Sequence, residues 1–179
     1  MLIAVCTLLL GIVSRTSTTG YEGCLPKIVK IMGRLVIDKE VEQQYTYYGI
    51  PSPWLQVKAL RLLQYFPPTE DPTSVVRLTD ILTQCINGVN NAKNANKSNA
   101  QHAVLFEAIA LCLHMEVDQE LLSQSVALLG KFLTMSDPNI KYLALENMSR
   151  LALVPEMLEA IKRHQKTIVA SLKARPGGT

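Results

Sequence analysis

The sequence predicts an all-α protein, an α-solenoid built of helix pairs of the HEAT or armadillo type. Apolar residues recur three and four positions apart along almost the whole chain, which is the spacing of a buried helix face. No run alternates cleanly between apolar and polar residues, so no strand is predicted. The segments Pro53–Leu60 (PWLQVKAL) and Pro138–Leu145 (PNIKYLAL) both open with proline and place Ala-Leu at the same offset. Their prolines lie 85 positions apart, or two periods of about 42 residues, which is typical of HEAT and armadillo repeats.

The first two helices are predicted ahead of residue 40. Residues Met1–Arg15 form one apolar helix, and a polar turn at Thr16–Gly20 ends it. The second helix spans Leu25–Ile37 and carries Pro26 in its first turn, where a backbone N–H is not needed. Its apolar side chains are spaced three and four apart: Ile28, Ile31, Met32 and Leu35.

The apolar run MLIAVCTLLLGIV at the start allows a second interpretation, the hydrophobic region of a secretory signal. No Lys or Arg precedes it, and it is shorter than the roughly 20 residues that a membrane-spanning helix needs. A buried helix from a larger helical array is therefore favoured over secretion.

The third helix follows a segment that Gly49, Pro51 and Pro53 keep out of regular helix. Ser52 is its expected N-cap, and Pro67-Pro68 ends it sharply. One face is apolar and predicted to be buried: Leu55, Ala59, Leu62, Leu63 and Phe66.

The remaining helices follow the same periodicity. They are predicted at about Thr73–Val89, Ala100–Met115, Gln119–Met135, Pro138–Leu153 and Pro155–Ala174, with Ser136 or Asp137 as a cap. The Asn-rich stretch at about 90–98 is predicted to be a flexible loop, and residues 175–179 a disordered tail. Residues 1–174 thus form one solenoid segment.

Composition favours a folded protein without a nucleic-acid role. Hydrophobic residues make up 48% of the chain, while the net charge of +3 and the 18% of charged residues are too mild to indicate nucleic-acid binding. The four cysteines lie far apart without a CxxC pair, so buried, reduced thiols are expected: Cys6, Cys24, Cys85 and Cys112.

No catalytic, cofactor-binding or metal-binding residues are predicted. The histidines His102 and His114 are about three helical turns apart and too distant to share a ligand. His164 lies in a mixed-charge stretch, and no phosphate-binding glycine motif is present. A non-enzymatic protein is expected, with no cofactor.

Basic side chains at helical spacing are the weak candidates for contact with lipid or a protein partner. Lys27, Lys30 and Arg34 form one stripe, and Lys58 and Arg61 form another. The alternative interpretation, a solvated helix face, is the more common role of such stripes.

The aromatic residues Tyr47, Tyr48 and Trp54 beside the prolines also allow two interpretations. They fit a surface that receives a peptide, or packing in the joint between repeats. Packing by Trp54 is favoured, because a single Trp in the first turn of an apolar helix usually fills such a joint.

Several segments, in order, resemble the adaptin family of large clathrin-adaptor subunits, and its alpha type in particular. The stretch YTYYGIPSPWLQVKALRLLQYFPPTEDP carries the main similarity, with its Tyr-Tyr pair, Pro-Trp and Pro-Pro. SNAQHAVLFEAIALCLH, LLGKFL, DPNIKYLALENMSRLA and HQKTIVASLK follow in the same order. The similarity runs from about Tyr45 to Lys173 and more weakly to the start.

The resemblance implies a curved solenoid, the trunk of a heterotetramer with a second large chain, a medium chain and a small chain. It implies a non-enzymatic scaffold for clathrin-dependent endocytosis, in contact with clathrin indirectly and peripheral to the plasma membrane at coated pits, on the cytoplasmic side. The alternative is a helical-repeat scaffold of another coat, such as a coatomer-like or Golgi adaptor large subunit.

The chain departs from the family pattern at both ends. The family's basic lipid-contacting patch lies ahead of the matched region, and its hinge and appendage follow the trunk. The expected identity is therefore a central trunk segment, to which the family's known lipid, cargo and clathrin sites do not carry over.

Overall fold

The computed structural model describes residues 1–89 and 94–171, and within them the protein is all-α, as predicted. Its helices are α1 Leu2–Val13, α2 Cys24–Val36, α3 Pro53–Leu63, α4 Pro72–Asn87, α5 Ala95–His114, α6 Gln119–Phe132, α7 Pro138–Leu151, α8 Leu158–Lys162 and α9 Gln165–Ser171. Short 3₁₀ turns lie at Gln43–Tyr45 and Pro155–Met157.

One small hairpin was not predicted. Strands β1 (Thr46–Tyr47) and β2 (Ile50–Pro51) pair antiparallel, with Thr46 opposite Pro51 and Tyr47 opposite Ile50. Two-residue strands are too short to show an alternating pattern, so the sequence carries no strand signal here.

The Asn-rich stretch is only partly described. Residues 90–93 of the predicted loop lie outside the described residues, as does the predicted tail at 175–179. Helix α5 begins at Ala95, five residues earlier than the sequence indicated. Asn94 explains the early start, because its side-chain oxygen accepts a hydrogen bond from the Lys97 N–H at 3.1 Å and caps the helix.

Aspartate caps start three other helices. Asp71 accepts from the Ser74 N–H at 2.9 Å, Asp118 from Leu121 N–H, and Asp137 from Asn139 N–H, both at 2.8 Å. Ser52 lies at the N-cap position of α3 as predicted, but its side chain makes no capping hydrogen bond. Ser52 takes a left-handed conformation (φ 39°), and its hydroxyl donates to the Tyr45 carbonyl instead of accepting from α3.

The chain divides into two compact units, and the first covers Met1–Glu116. Inside it α3 packs against both α1 and α5, while α2 packs against α4. Helices α2 and α3 also contact one another, as do α4 and α5. Contacts that join each helix to the second one after it are those of two layers of stacked helix pairs, which is the predicted helical-repeat arrangement.

The predicted faces are buried in this unit. The whole predicted α3 face is buried, from Leu55 to Phe66, and the α2 face is buried except for Ile31, which is half-buried. The largest side chains with almost no exposure form its core: Met32, Leu60, Leu62, Leu63, Phe66, Ile81, Leu82, Ile86, Leu105, Ile109 and Leu111.

The first helix differs from its prediction as a buried element. Only Cys6 and Val13 of α1 are buried, while Leu2, Ile3, Val5 and Leu8 are exposed. Helix α1 packs against α3 along one side only. Because its sequence is apolar all round, the sequence does not show which side is covered. None of the helices in the described ranges is long and apolar enough to cross a membrane.

The second unit covers residues Val117–Thr179, described as far as Ser171. Helix α6 packs against α7, α8 and the turn Pro155–Met157 around buried Leu129, Ala144 and Leu151. The single helix predicted from Pro155 to Ala174 is broken into a 3₁₀ turn, α8 and α9. No Gly or Pro marks the break between α8 and α9. It lies where the His164 ring packs so closely on Gly130 that no room is left for a Cβ there.

Candidate functional site

The first basic stripe lies on the outer side of α2. Lys27, Lys30 and Arg34 are all exposed, one helical turn apart. Arg34 Nε lies 3.2 Å from Glu40 Oε2, in an exposed ion pair. Among the described residues no carboxylate lies within ion-pair distance of Lys27 or Lys30. The α2 stripe therefore presents two unbalanced charges to solvent, and its contact with lipid or a partner stays a prediction.

The second stripe is divided by the tertiary structure. Arg61 on α3 contacts Glu107 on α5 through Nη2, and its Nε donates to the same oxygen at 3.0 Å. Gln64 Nε2 donates to the other Glu107 oxygen at 2.9 Å. Glu107 is only 16% exposed although Arg61 is 56% exposed, and the hydrogen bonds from Arg61 to Glu107 raise the pKa of the guanidinium. The charge of Arg61 is thus balanced within the first unit.

Lys58 is half-buried and acts electrostatically on a thiol of α1. Burial raises the pKa of Cys6, and the positive charge of Lys58 partly opposes that rise. Burial also raises the pKa of Cys85 to about 12. Both groups are free thiols that stay protonated near neutral pH, so neither has the low pKa of a reactive cysteine.

The aromatic residues form a connected cluster on the hairpin. The ring of Tyr47 meets those of Tyr48 and Trp54 edge-on, with centroids 4.7 Å apart in both pairs. Asn96 Nδ2 donates to the Tyr48 hydroxyl at 3.1 Å, which ties the hairpin to α5. Trp54 packs on Tyr47, but it is 57% exposed, so it lies at the surface and does not fill the joint between repeats as predicted.

Backbone strain is concentrated in the same turn. Tyr48 (φ 48°) and Ser52 (φ 39°) both lie in the left-handed region that non-glycine residues rarely occupy, and Gly49 between them has φ 82°. The strained turn holds the aromatic cluster in one orientation.

Among the described residues no group of three His, Cys, Asp or Glu side chains is placed to hold a metal ion. The Nε2 atom of His114 lies 2.6 Å from the Phe66 carbonyl oxygen, which gives that imidazole a structural role between α5 and the end of α3.

Comparison with known protein families identifies the family of this chain. The family model described as the adaptin N terminal region matches residues 1–177. The chain belongs to the adaptin family. The resemblance read from the segments between Tyr45 and Lys173 is thereby confirmed and extends to the N-terminal helices.

Individual adaptins show the same relationship. The chain is 52% identical over 167 residues to AP-2 complex subunit alpha-1 of Arabidopsis thaliana, and this covers 93% of the chain and 16% of that protein. It is 42% identical over 157 residues to AP-2 complex subunit alpha-2 of Dictyostelium discoideum, or 86% of the chain and 16% of that protein. AP-1 complex subunit gamma of the same organism is 31% identical over 169 residues, or 93% and 18%. The chain spans about a sixth of the length of these adaptins.

Two features of this adaptin chain were missed by sequence reasoning. The partners Arg61 and Glu107 are 46 residues apart, and Asn96 lies 48 residues from Tyr48, to whose hydroxyl it donates. Helical spacing reports neighbours within one helix, so neither arrangement had a sequence signal.

Proposed function

We propose that this adaptin chain is a non-enzymatic structural segment of the large alpha subunit of a clathrin adaptor complex. It serves as a scaffold for vesicle-mediated intracellular protein transport and clathrin-dependent endocytosis. The observation that carries the proposal is the 52% identity over 93% of the chain to an AP-2 alpha subunit. The match covers residues of both compact units. This favours the trunk of that subunit, because a chance similarity would be confined to a single helix pair.

The stacked helices suit a scaffold because they provide a packed core and extended outer faces. The stacked helices of the first unit bury a continuous core and leave long outer faces available to other chains. Its partners in this proposal are a second large chain, a medium chain and a small chain, with clathrin reached indirectly. The complex would associate peripherally with the cytoplasmic side of the plasma membrane at coated pits.

The α2 stripe is the surface that suits contact with an anionic membrane. Lys27 and Lys30 are exposed, and no carboxylate of the described residues lies within ion-pair distance of them, whereas Arg61 is paired with Glu107. Each lysine near an anionic surface contributes about 1 kcal/mol. Co-sedimentation with vesicles containing phosphatidylserine tests this, and unchanged binding of the Lys27→Gln/Lys30→Gln variant would remove the stripe from the proposal.

Affinity purification of the tagged chain from cells tests the main proposal. We expect recovery of the medium and small adaptor chains of the plasma-membrane complex together with clathrin. A Leu60→Asp variant, which places a carboxylate in the core, is the unfolded control and should recover none of them. Recovery of other coat proteins, or of no adaptor chain, by the folded protein contradicts the proposal.

The 31% identity to an AP-1 gamma subunit favours a second candidate, the large subunit of a Golgi-type adaptor. The same purification separates the two candidates, because the medium and small chains that are recovered identify the complex. Recovery of the Golgi-type chains alone would select this second function.

A further inference from the structure

The aromatic cluster on the hairpin forms an exposed surface that has no assigned role. Tyr48 and Trp54 are exposed, and both meet the half-buried ring of Tyr47 edge-on. In an edge-on pair only one of the two rings has a face covered, so the cluster keeps open ring faces on either side of Tyr47. Because Trp54 does not fill the joint between repeats, the interpretation in which these rings receive a peptide is the one that its exposure favours.

The polar ends of the rings supply hydrogen-bond donors that lack acceptors. Among the described residues nothing accepts from the Trp54 indole N–H or from the Tyr47 hydroxyl, whereas the Tyr48 hydroxyl accepts from Asn96. A ligand that covers the rings must therefore bring carbonyl oxygens, because a covered donor without an acceptor is costly. An α-helix uses most of its carbonyls in its own hydrogen bonds. A polyproline II helix has no internal hydrogen bonds and leaves its carbonyls free.

The charge around the cluster disfavours a cationic ligand, which is the other common partner of exposed aromatic rings. Lys97 Nζ reaches the hairpin tip, 3.9 Å from the position of a Cβ on Gly49. Lys58 lies one helical turn after Trp54 on α3. Residues 46–58, which carry the rings, contain no acid. A ligand without basic residues is therefore favoured over an arginine-rich or lysine-rich one.

The spacing of the rings fits one turn of a polyproline II helix. The centroids of the Tyr48 and Trp54 rings each lie 4.7 Å from that of Tyr47, so the outer two are at most twice that distance apart. Prolines three positions apart in a polyproline II helix lie on the same side, about 9 Å apart, which is close to this limit. An added β-strand finds no comparable fit, because β1 and β2 are two residues long and give it too short an edge.

The turn that carries the cluster is organised before any ligand binds. Tyr48, Gly49 and Ser52 all have positive φ, and strained positions of this kind occur at ligand sites. The hydrogen bond from Asn96 to the Tyr48 hydroxyl fixes the hairpin to α5. A rigid surface and a stiff polyproline II ligand both lose little conformational entropy when they associate.

We propose that the aromatic cluster binds a proline-rich segment of a partner protein in the polyproline II conformation. The prolines of this segment pack on the rings of Tyr48 and Trp54. Its carbonyl oxygens accept hydrogen bonds from the Trp54 indole N–H and the Tyr47 hydroxyl. The site uses none of the basic residues of the α2 stripe, and it does not depend on which adaptor complex the chain joins.

Peptide titration of the purified full chain tests the site, and Trp54 is the only tryptophan in the sequence, so its emission reports on the cluster directly. The probe is the peptide Gly-Ser-Pro-Pro-Pro-Pro-Pro-Pro-Ser-Gly. We expect saturable binding by anisotropy of the fluorescein-labelled probe, and a shift of the Trp54 emission to shorter wavelength with the unlabelled probe. A Gly-Ser peptide of equal length is flexible and should bind at least about tenfold more weakly.

Substitutions at Trp54 separate the ring from its donor. Trp54→Leu removes both and should weaken binding at least about tenfold. Trp54→Phe keeps a ring without the N–H and should weaken binding about threefold. Tyr142→Leu replaces an exposed aromatic residue of the second unit and is the control, which should bind within about twofold of the unchanged protein.

Four results would overturn the proposal: no saturation by the unchanged protein, equal binding of the proline and Gly-Ser peptides, unchanged Trp54 emission at saturation, or equal binding by Trp54→Leu and Tyr142→Leu. Tighter binding of a peptide with arginine in place of proline would indicate a cation site and would reject the proposal as well. If Trp54→Leu loses its helical circular dichroism, Trp54→Phe decides. Weaker binding by that variant supports the site, and binding equal to that of the unchanged protein rejects it.

Discussion

The two copies of the repeated segment, at the start of α3 and of α7, share a sequence pattern but enter their helices differently. Both begin with proline, and both bury the alanine six positions later, Ala59 and Ala144. Ser52 precedes α3 in a left-handed conformation without a side-chain cap, whereas Asp137 precedes α7 in an extended conformation and accepts from two backbone N–H groups. The repeat therefore encodes the buried alanine, while the residue before the proline encodes the turn.

The same two helices also differ in how they use arginine. Arg61 on α3 reaches across to Glu107 on α5, whereas Arg150 on α7 pairs with Glu146 one turn earlier on its own helix, at 2.9 Å. The α3 pair joins two helices of a layer, and the α7 pair stabilises only local structure. The two arginines lie at different offsets from their prolines, eight residues for Arg61 and twelve for Arg150, and they stabilise different levels of structure.

Truncation of the leucine after the shared alanine should give the largest difference between the copies. Leu60 is completely buried, while Leu145 is half-buried. We expect Leu60→Ala to lower the free energy of unfolding by about 2–5 kcal/mol, because it removes apolar contacts and leaves a cavity. Leu145→Ala should cost about 1 kcal/mol. Urea denaturation followed by circular dichroism measures both, and equal losses would contradict the difference in burial.

Removal of the residue before the proline should give the next largest difference. Asp137→Ala removes an N-cap and should destabilise the protein by about 1 kcal/mol. Ser52→Ala removes only an exposed hydrogen bond to Tyr45 and should cost less than about 0.5 kcal/mol. Thermal denaturation of the two variants in parallel is the measurement. A larger loss for Ser52→Ala would mean that its hydroxyl holds the strained turn together.

The two ion pairs should differ more modestly. Glu107→Ala removes the acceptor of both Arg61 and Gln64 and should cost about 1 kcal/mol, because Glu107 is largely buried. Glu146→Ala breaks an exposed pair within one helix and should cost about 0.3–0.5 kcal/mol. Repeating the urea titrations in about 0.5 M NaCl sharpens the contrast, since salt screens the exposed pair more than the partly buried one. An equal response to salt would show that both pairs are solvated alike.

The smallest expected effect extends the comparison of caps to Asp71 at the start of α4. Hydrogen bonds from the Ser74 side chain and then its backbone N–H hold the pKa of Asp71 below its usual value of 3.8. A lowered pKa in the folded chain means that the stabilisation is present above the unfolded pKa and is lost as the pH falls through the folded pKa.

The cap should therefore act fully at neutral pH and weaken below about pH 4. Asp71→Asn keeps a capping oxygen that does not titrate, so its melting temperature should fall less steeply than that of the unchanged protein in this range. Melting curves from pH 7 to pH 3 measure the two slopes. Parallel slopes would show that protonation of Asp71 does not contribute to acid unfolding.

Most of the fold was predictable because helix periodicity is a local signal. The buried face of α3 agrees at every position from Leu55 to Phe66, since side chains three and four residues apart share one side of a helix whatever surrounds it. The break between α8 and α9 was not predictable, because it accompanies contact between His164 and Gly130, residues on different elements. The exposure of Trp54 escaped prediction for a similar reason, since a left-handed turn before it sets the direction of the ring.

Local sequence patterns were enough to assign this chain to the all-α repeat proteins of the adaptin family and to locate the exposed lysines of α2. The packing of the helices was needed to show that Arg61 pairs with Glu107 and that Trp54 lies exposed against Tyr47. The two kinds of information differ in how far apart the residues lie along the chain. Helical spacing and diagnostic segments are local properties of the chain, whereas charge balance depends on which distant side chains the packed helices bring within hydrogen-bonding distance.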